Sequence, residues 1–200
     1  MNKIKLFTIA SILLAMFGCA SNPMKVSDEV TVEPASANEA QVVFMRNSFV
    51  GSAINASLYE LTDSDPIFIG IISNGTKLIH KTSSGKHRFM VVSEAADFLE
   101  ADVLAGKTYY SIVTPRMGAW KARFSMWPIK KSASEYTLDS EDFKTWKKNT
   151  KIAENSEKAA AWFASNKASV VKKMNEYLAV WNQKSAEELA KRSLSQEDGI

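Results

Sequence analysis

Hydrophobic and polar positions follow two rhythms along this chain. From Gln41 to about Lys131 the apolar residues come in short runs broken by turn residues. Val42-Val43-Phe44-Met45 is the first run, and Ala56-Ser57-Leu58-Tyr59-Glu60-Leu61 the second. Ile67-Phe68-Ile69-Gly70-Ile71-Ile72 ends at Asn74-Gly75, a strong hairpin signal between Ile72 and Leu78. Ser83-Ser84-Gly85-Lys86 precedes His87-Arg88-Phe89-Met90-Val91-Val92, and runs at 99–104, 109–113 and 120–129 follow. Seven or eight short strands with regular turns predict a small antiparallel β-sandwich over 40–132. After Ser132 the spacing becomes helical. Asp139-Ser140-Glu141-Asp142 opens a helix whose acidic first turn suits its positive dipole end, and Phe143, Trp146 and Ile152 fall on one face. A second helix is predicted from about 156 to 191. Its apolar stripe comprises Ala159, Phe163, Val170, Met174, Tyr177, Leu178 and Trp181, three, four or seven apart. The polar tail at 193–200 reads as frayed. The expected class is α+β: a sandwich, then a helical pair over 133–200.

The N-terminus has a different character. Lys3 and Lys5 precede an apolar run at 6–17, interrupted by Thr8 and Ser11. About a dozen residues are too few to span a bilayer, which needs about 20, but they match the apolar region of a signal peptide. The run ends in Met16-Phe17-Gly18-Cys19, which resembles a lipobox with Met and a bulky Phe in place of the usual Leu and small residue. On this reading 1–18 is a lipoprotein signal peptide and Cys19 is lipidated with diacylglycerol. The alternative is an ordinary secretory signal with an incidental cysteine. Cys19 is the chain's single cysteine, so no internal disulfide can form. More than one acyl chain gives stable anchoring. Ala20 and Ser21 follow, with no Asp at the position that commonly retains lipoproteins in the inner membrane, so the outer membrane facing the periplasm is the expected location. Residues 19–39 are small, polar and proline-containing. They read as a flexible tether with a reach of roughly 25 Å.

Charge changes the picture little. The net +3 includes Lys3 and Lys5, so the chain without 1–18 carries +1. A near-neutral protein outside the cytoplasm points to no nucleic-acid partner.

Few residues offer chemistry. His80 and His87 are the only histidines, and no G-x-S-x-G elbow accompanies Ser48 or Ser52. Two histidines without a cysteine or carboxylate cluster make a poor zinc site, and no cofactor is expected. The loop after Arg46 has two readings: Phe49 tucks into the core with Gly51 easing the backbone, or Arg46 and Ser48 meet an anion. The segment 103–134 holds no Asp or Glu. Strand alternation there puts Trp120, Ala122, Phe124 and Met126 on one face and Lys121, Arg123, Ser125 and Trp127 on the other, with Lys130 and Lys131 beyond. The second face reads either as a solvated strand paired with Glu94, Glu100 and Asp102, or as a basic surface for phosphate head groups, lipopolysaccharide or an acidic partner.

Met45-Arg46-Asn47-Ser48-Phe49-Val50-Gly51-Ser52-Ala53 resembles the opening motif of a family of uncharacterised bacterial lipoproteins, a domain of unknown function. Asn74-Gly75-Thr76, Ser84-Gly85-Lys86-His87 and Ala105-Gly106-Lys107-Thr108-Tyr109-Tyr110 resemble its turn pattern over about 40–130. Asn47 stands where that family commonly has Pro. The resemblance implies a small β-sandwich on a lipid anchor and no activity. The expectation is a non-enzymatic envelope lipoprotein binding a protein or anionic envelope component; the alternative is a binder of small ligands, glycans or lipid head groups.

Overall fold

The computed structural model describes residues 22–116, 123–132 and 134–200. The leader, Cys19, Trp120, Lys121 and Ala122 lie outside the described residues. Strands β2 (Ala40–Arg46), β3 (Ala56–Leu61), β4 (Ile67–Ile72), β5 (Thr76–Thr82), β6 (Gly85–Val92), β7 (Ala96–Val103), β8 (Thr108–Arg116) and β9 (Arg123–Ile129) follow the apolar runs. Three short strands join them from outside that stretch: β1 (Lys25–Val26), β10 (Lys151–Glu154) and β11 (Ser193–Leu194). Helices α1 (Glu141–Asn149), α2 (Glu157–Trp181) and α3 (Ala186–Ala190) complete the fold, which is α+β.

One sheet runs β1-β10-β5-β2-β8-β9, the other β11-β7-β6-β3-β4. Eleven strands therefore replace the expected seven or eight. The pairing is also mixed, because β2–β8, β10–β5 and β11–β7 are parallel. The sheets pack face to face through Val42, Phe44, Leu58, Phe89, Leu99 and Val113, with the Phe44 and Phe89 rings 5.1 Å apart.

Each sheet is also covered on its outer face, giving four layers. On the first, Val43, Met45, Tyr110 and Ile112 pack against Phe143 of α1 with Tyr136 and Leu138. On the second, Tyr59, Met90, Val92 and Phe98 pack under Phe163, Val170, Met174, Leu178 and Trp181 of α2. Two-sided burial explains why Val42-Val43-Phe44-Met45 does not alternate with polar residues. Gly70 permits another close approach: a Cβ there would lie 2.7 Å from Met24 Cε. It sits at φ 155°, beside a register shift in the β3–β4 pair.

The helices begin where expected and end sooner. The Ser140 side chain caps α1 by accepting from Phe143 N–H at 3.2 Å. At the other end Thr150 Oγ1 donates to the Trp146 carbonyl at 2.7 Å. Ile152 is therefore not on the α1 face but in β10, which adds to the edge of β5. Helix α2 stops at Trp181, and a capping box at Ser185 and Glu188 starts α3.

Both predicted loose segments are fixed. Met24 is buried, β1 pairs with β10, and Lys77 Nζ and Gln41 Nε2 donate to the carbonyls of Val30 and Glu33. The 22–39 part of the expected tether thus lies along the first sheet. In the tail, β11 pairs with β7, and Ile200 exchanges two backbone hydrogen bonds with Thr108 at 2.7 and 3.1 Å. Buried Arg192 secures this end. It donates to the Asp97 carboxylate, to the Phe98 carbonyl and to the Met126 carbonyl, and lies over the Trp127 and Trp181 rings.

Candidate functional site

Strand register places several connections at one end of the sandwich. Arg46 pairs with Thr76, Met45 with Ile112, Ala56 with Ile72, Ser57 with Val92, and Arg116 with Arg123. Loops 47–55, 73–75 and 93–95 and the open ends of β8 and β9 therefore lie together. The turns at 62–66 and 83–84 lie at the far end.

Arg46 organises this end. It is fully buried at the tip of β2, stacked 4.2 Å from the Phe124 ring centroid. Its guanidinium donates to the carbonyls of Ile54 and Gly51, both at 2.5 Å, and of Ile72 at 3.3 Å. Burial pushes the guanidinium down to about 10. These carbonyls take the hydrogen bonds of its two terminal nitrogens, and the buried guanidinium does not face an exposed anion, as one reading of the sequence expects. Ser48 N–H donates to Asn74 Oδ1 and its hydroxyl to the Val50 carbonyl, so it too serves the loop. Gly51 adopts φ 68°, a left-handed conformation that side-chain-bearing residues resist. With the loop's carbonyls turned inward, its side chains point out. Phe49 is 93% exposed, and Val50 and Ile54 are exposed beside it. The reading in which Phe49 joins the core is corrected.

Next to this loop, α2 and the second sheet enclose a half-open cleft of about 540 Å³. Ile54, Ala56, Val92, Trp162 and Val170 form its apolar wall; Asn55, Ser57, Asn166 and Ser169 add side-chain amides and hydroxyls. Lys173 Nζ donates to the Ser93 carbonyl at its edge, and Pro23 closes one side. Helix spacing assembles this wall, since 162, 166, 169 and 173 recur along one side of α2. In the sequence these positions flank the stronger stripe at 163, 170 and 174, and Lys173 reads only as a residue off that stripe. The spacing of Trp162, Asn166 and Lys173 was a usable signal.

Among the described residues the predicted basic face is not assembled. Arg123 is exposed, but Ser125 is buried and its strand neighbour Trp127 is sandwiched. Arg192 lies 4.4 Å from the Trp127 ring and Tyr136 covers it at 6.2 Å, because 134–140 and the C-terminal segment overlie β9. Lys130 Nζ donates to the Ala190 carbonyl at the end of α3, and the exposed Lys131 gives its N–H to Asp198. Trp127 and Lys130 share a half-open hollow of about 660 Å³ with Glu135 and Glu187, so that surface is of mixed charge. Lys121 lies outside the described residues.

At the far end Glu60 reaches between the sheets to both histidines. His80 Nε2 lies 2.6 Å from one carboxylate oxygen and His87 Nδ1 2.5 Å from the other. His87 Nε2 donates to the Ser83 carbonyl at 3.0 Å, and Thr82 Oγ1 closes the group. Burial would raise the Glu60 carboxyl, but the hydrogen bonds and charges of His80 and His87 outweigh it and hold it below the usual range. His87 is turned inward, not out on the strand surface. These hydrogen bonds make the cluster a tie between β3, β5 and β6. Among the described residues no three His, Cys, Asp or Glu side chains are placed to hold a metal ion.

The fold and this end of it define an α+β protein with a covered two-sheet sandwich and an apolar cleft beside an exposed loop. A scan against protein-family models finds no match, and a search of curated proteins finds none.

Proposed function

We propose that the protein is a membrane-anchored envelope lipoprotein, lipidated on Cys19, that serves as a non-enzymatic binding module with the α2 cleft as its ligand site. The observation carrying the binding reading is that cleft. Its size of about 540 Å³ falls within the roughly 300–1,000 Å³ of small-molecule sites, and residues with amides and hydroxyls line it beside an apolar wall. That chemistry suits a small amphipathic ligand of the glycan or lipid head-group class: an apolar face for Trp162, hydroxyls for Asn55, Asn166 and Ser169. A protein partner on the apolar stripe of α2 is disfavoured, because the stripe already packs on the second sheet. The anchoring reading rests on Gly18-Cys19 and on the resemblance to uncharacterised lipoproteins.

Native mass spectrometry of the protein released from its own membranes tests the site. Wild type is expected to carry a small-molecule adduct that Ser169→Trp, which fills the cleft, excludes. Identical adduct profiles for the two proteins would remove the cleft as the site. Palmitate labelling tests the anchor: Cys19→Ser is expected to abolish incorporation, and labelling that survives the substitution defeats it.

A further inference from the structure

The loop end carries an apolar tip and two arginines that neither the cleft nor the core uses, close to Pro23, from which the chain runs back to Cys19. Phe49, at the apex of a loop fixed from beneath by Arg46, is 93% exposed, with Val50 beside it. A Cβ on Gly51 would lie 3.7 Å from Pro115 Cβ and from the Phe124 ring, so the tip stands against the ends of β8 and β9. There Arg116 and Arg123 are register partners, both exposed, and neither forms an ion pair among the described residues. Pro23 lines the same cleft as Ile54 of this loop and accepts a hydrogen bond from Ser156 Oγ. Cys19 lies four positions before Pro23, so whatever the conformation between, the two are at most about 14 Å apart.

From this juxtaposition we infer that loop 47–54 docks on the bilayer surface, with Phe49 and Val50 in the interface and Arg116 and Arg123 against anionic lipid phosphates. The inference rests on the lipidation of Cys19. A lipid on Cys19 holds Pro23 within a short reach of the head groups, and the loop end with it. Apolar side chains at such a surface leave water for the acyl boundary, and each nearby arginine favours an anionic leaflet by roughly fivefold. The cleft then opens beside the membrane, in place of a domain standing off on a long tether.

The full chain, purified with its lipid and placed in vesicles of phosphatidylethanolamine and phosphatidylglycerol carrying a doxyl-labelled acyl chain, tests this. A lipidated Cys19 has no free thiol, so Phe49→Cys, or Ser64→Cys at the far end, supplies the one site for a nitrobenzoxadiazole label. Quenching by the doxyl lipid is expected to be stronger at 49 than at 64 by about threefold or more, as for a group in the acyl boundary. One thiol per chain with equal quenching at the two sites overturns the contact and leaves the anchor standing. Two thiols per chain mean that Cys19 is unmodified, which overturns the anchor and the docking together.

Discussion

Helix α2 and loop 47–54 both present aromatic residues, and they meet opposite fates. Trp181 ends a helical stripe and is 3% exposed, 5.5 Å from the Phe98 ring, with its indole N–H donating to Glu100. Phe49 sits in a loop and stays in solvent. The stripe repeats at a helical period, so it can lie along a sheet face and bury many side chains at once. The loop cannot fold back, because Arg46 holds its carbonyls and turns its side chains away from the core. Burial here follows from what the backbone is tied to as well as from hydrophobicity.

The largest test of the comparison is Trp181→Ala. Losing a core aromatic is expected to cost about 3–5 kcal/mol, lowering the melting temperature on the order of 10 °C for a chain of this size. A shift below about 2 °C would mean that this face does not hold α2 to the sheet.

Arg46→Met removes the tie beneath the loop and leaves the Gly51 and Ile54 carbonyls without their donor. A loss of about 2–3 kcal/mol is expected, as for charge-assisted hydrogen bonds, with faster proteolytic cleavage inside 47–54. Unchanged cleavage kinetics would show that the loop's shape does not depend on Arg46.

A second buried cation sharpens the point on the first sheet. Lys77 is fully buried and donates to the carbonyls of Val30 and Lys147, yet burial, followed by the charge of Lys147, pushes it down to about 8. A lysine whose folded value lies below its ordinary 10.5 binds its proton less well when folded, so stability is expected to rise as pH goes from about 8 to 10.5. Denaturant melts across that window should show wild type gaining on Lys77→Met. Parallel curves would assign Lys77 an ordinary titration.

The smallest expected effect is on the other side of the comparison. Phe49→Ser should change stability in solution by less than about 0.5 kcal/mol, as for an exposed site. A loss above about 2 kcal/mol would place Phe49 in the core after all.

Residue spacing alone determined the α+β class, the run of β2 to β9 ahead of the helices and the acidic start of α1, because period and turn chemistry are local properties. It also carried the readings on Cys19, which rest on a linear motif. The tertiary structure decided which apolar residues are covered, and with that the candidate site. Alternation places Trp127 on an outward face, but nothing local shows that 134–140 and Arg192 return to cover it. Val26, Ile152 and Leu194 lie in stretches too short for any period to register, and they become strands only because sheet edges offer unpaired backbone groups. Glu60, His80 and His87 lie far enough apart in sequence that only the facing of two sheets brings them within hydrogen-bond distance. The cleft is likewise long-range, since its walls come from a helix and from strands some seventy or more residues earlier.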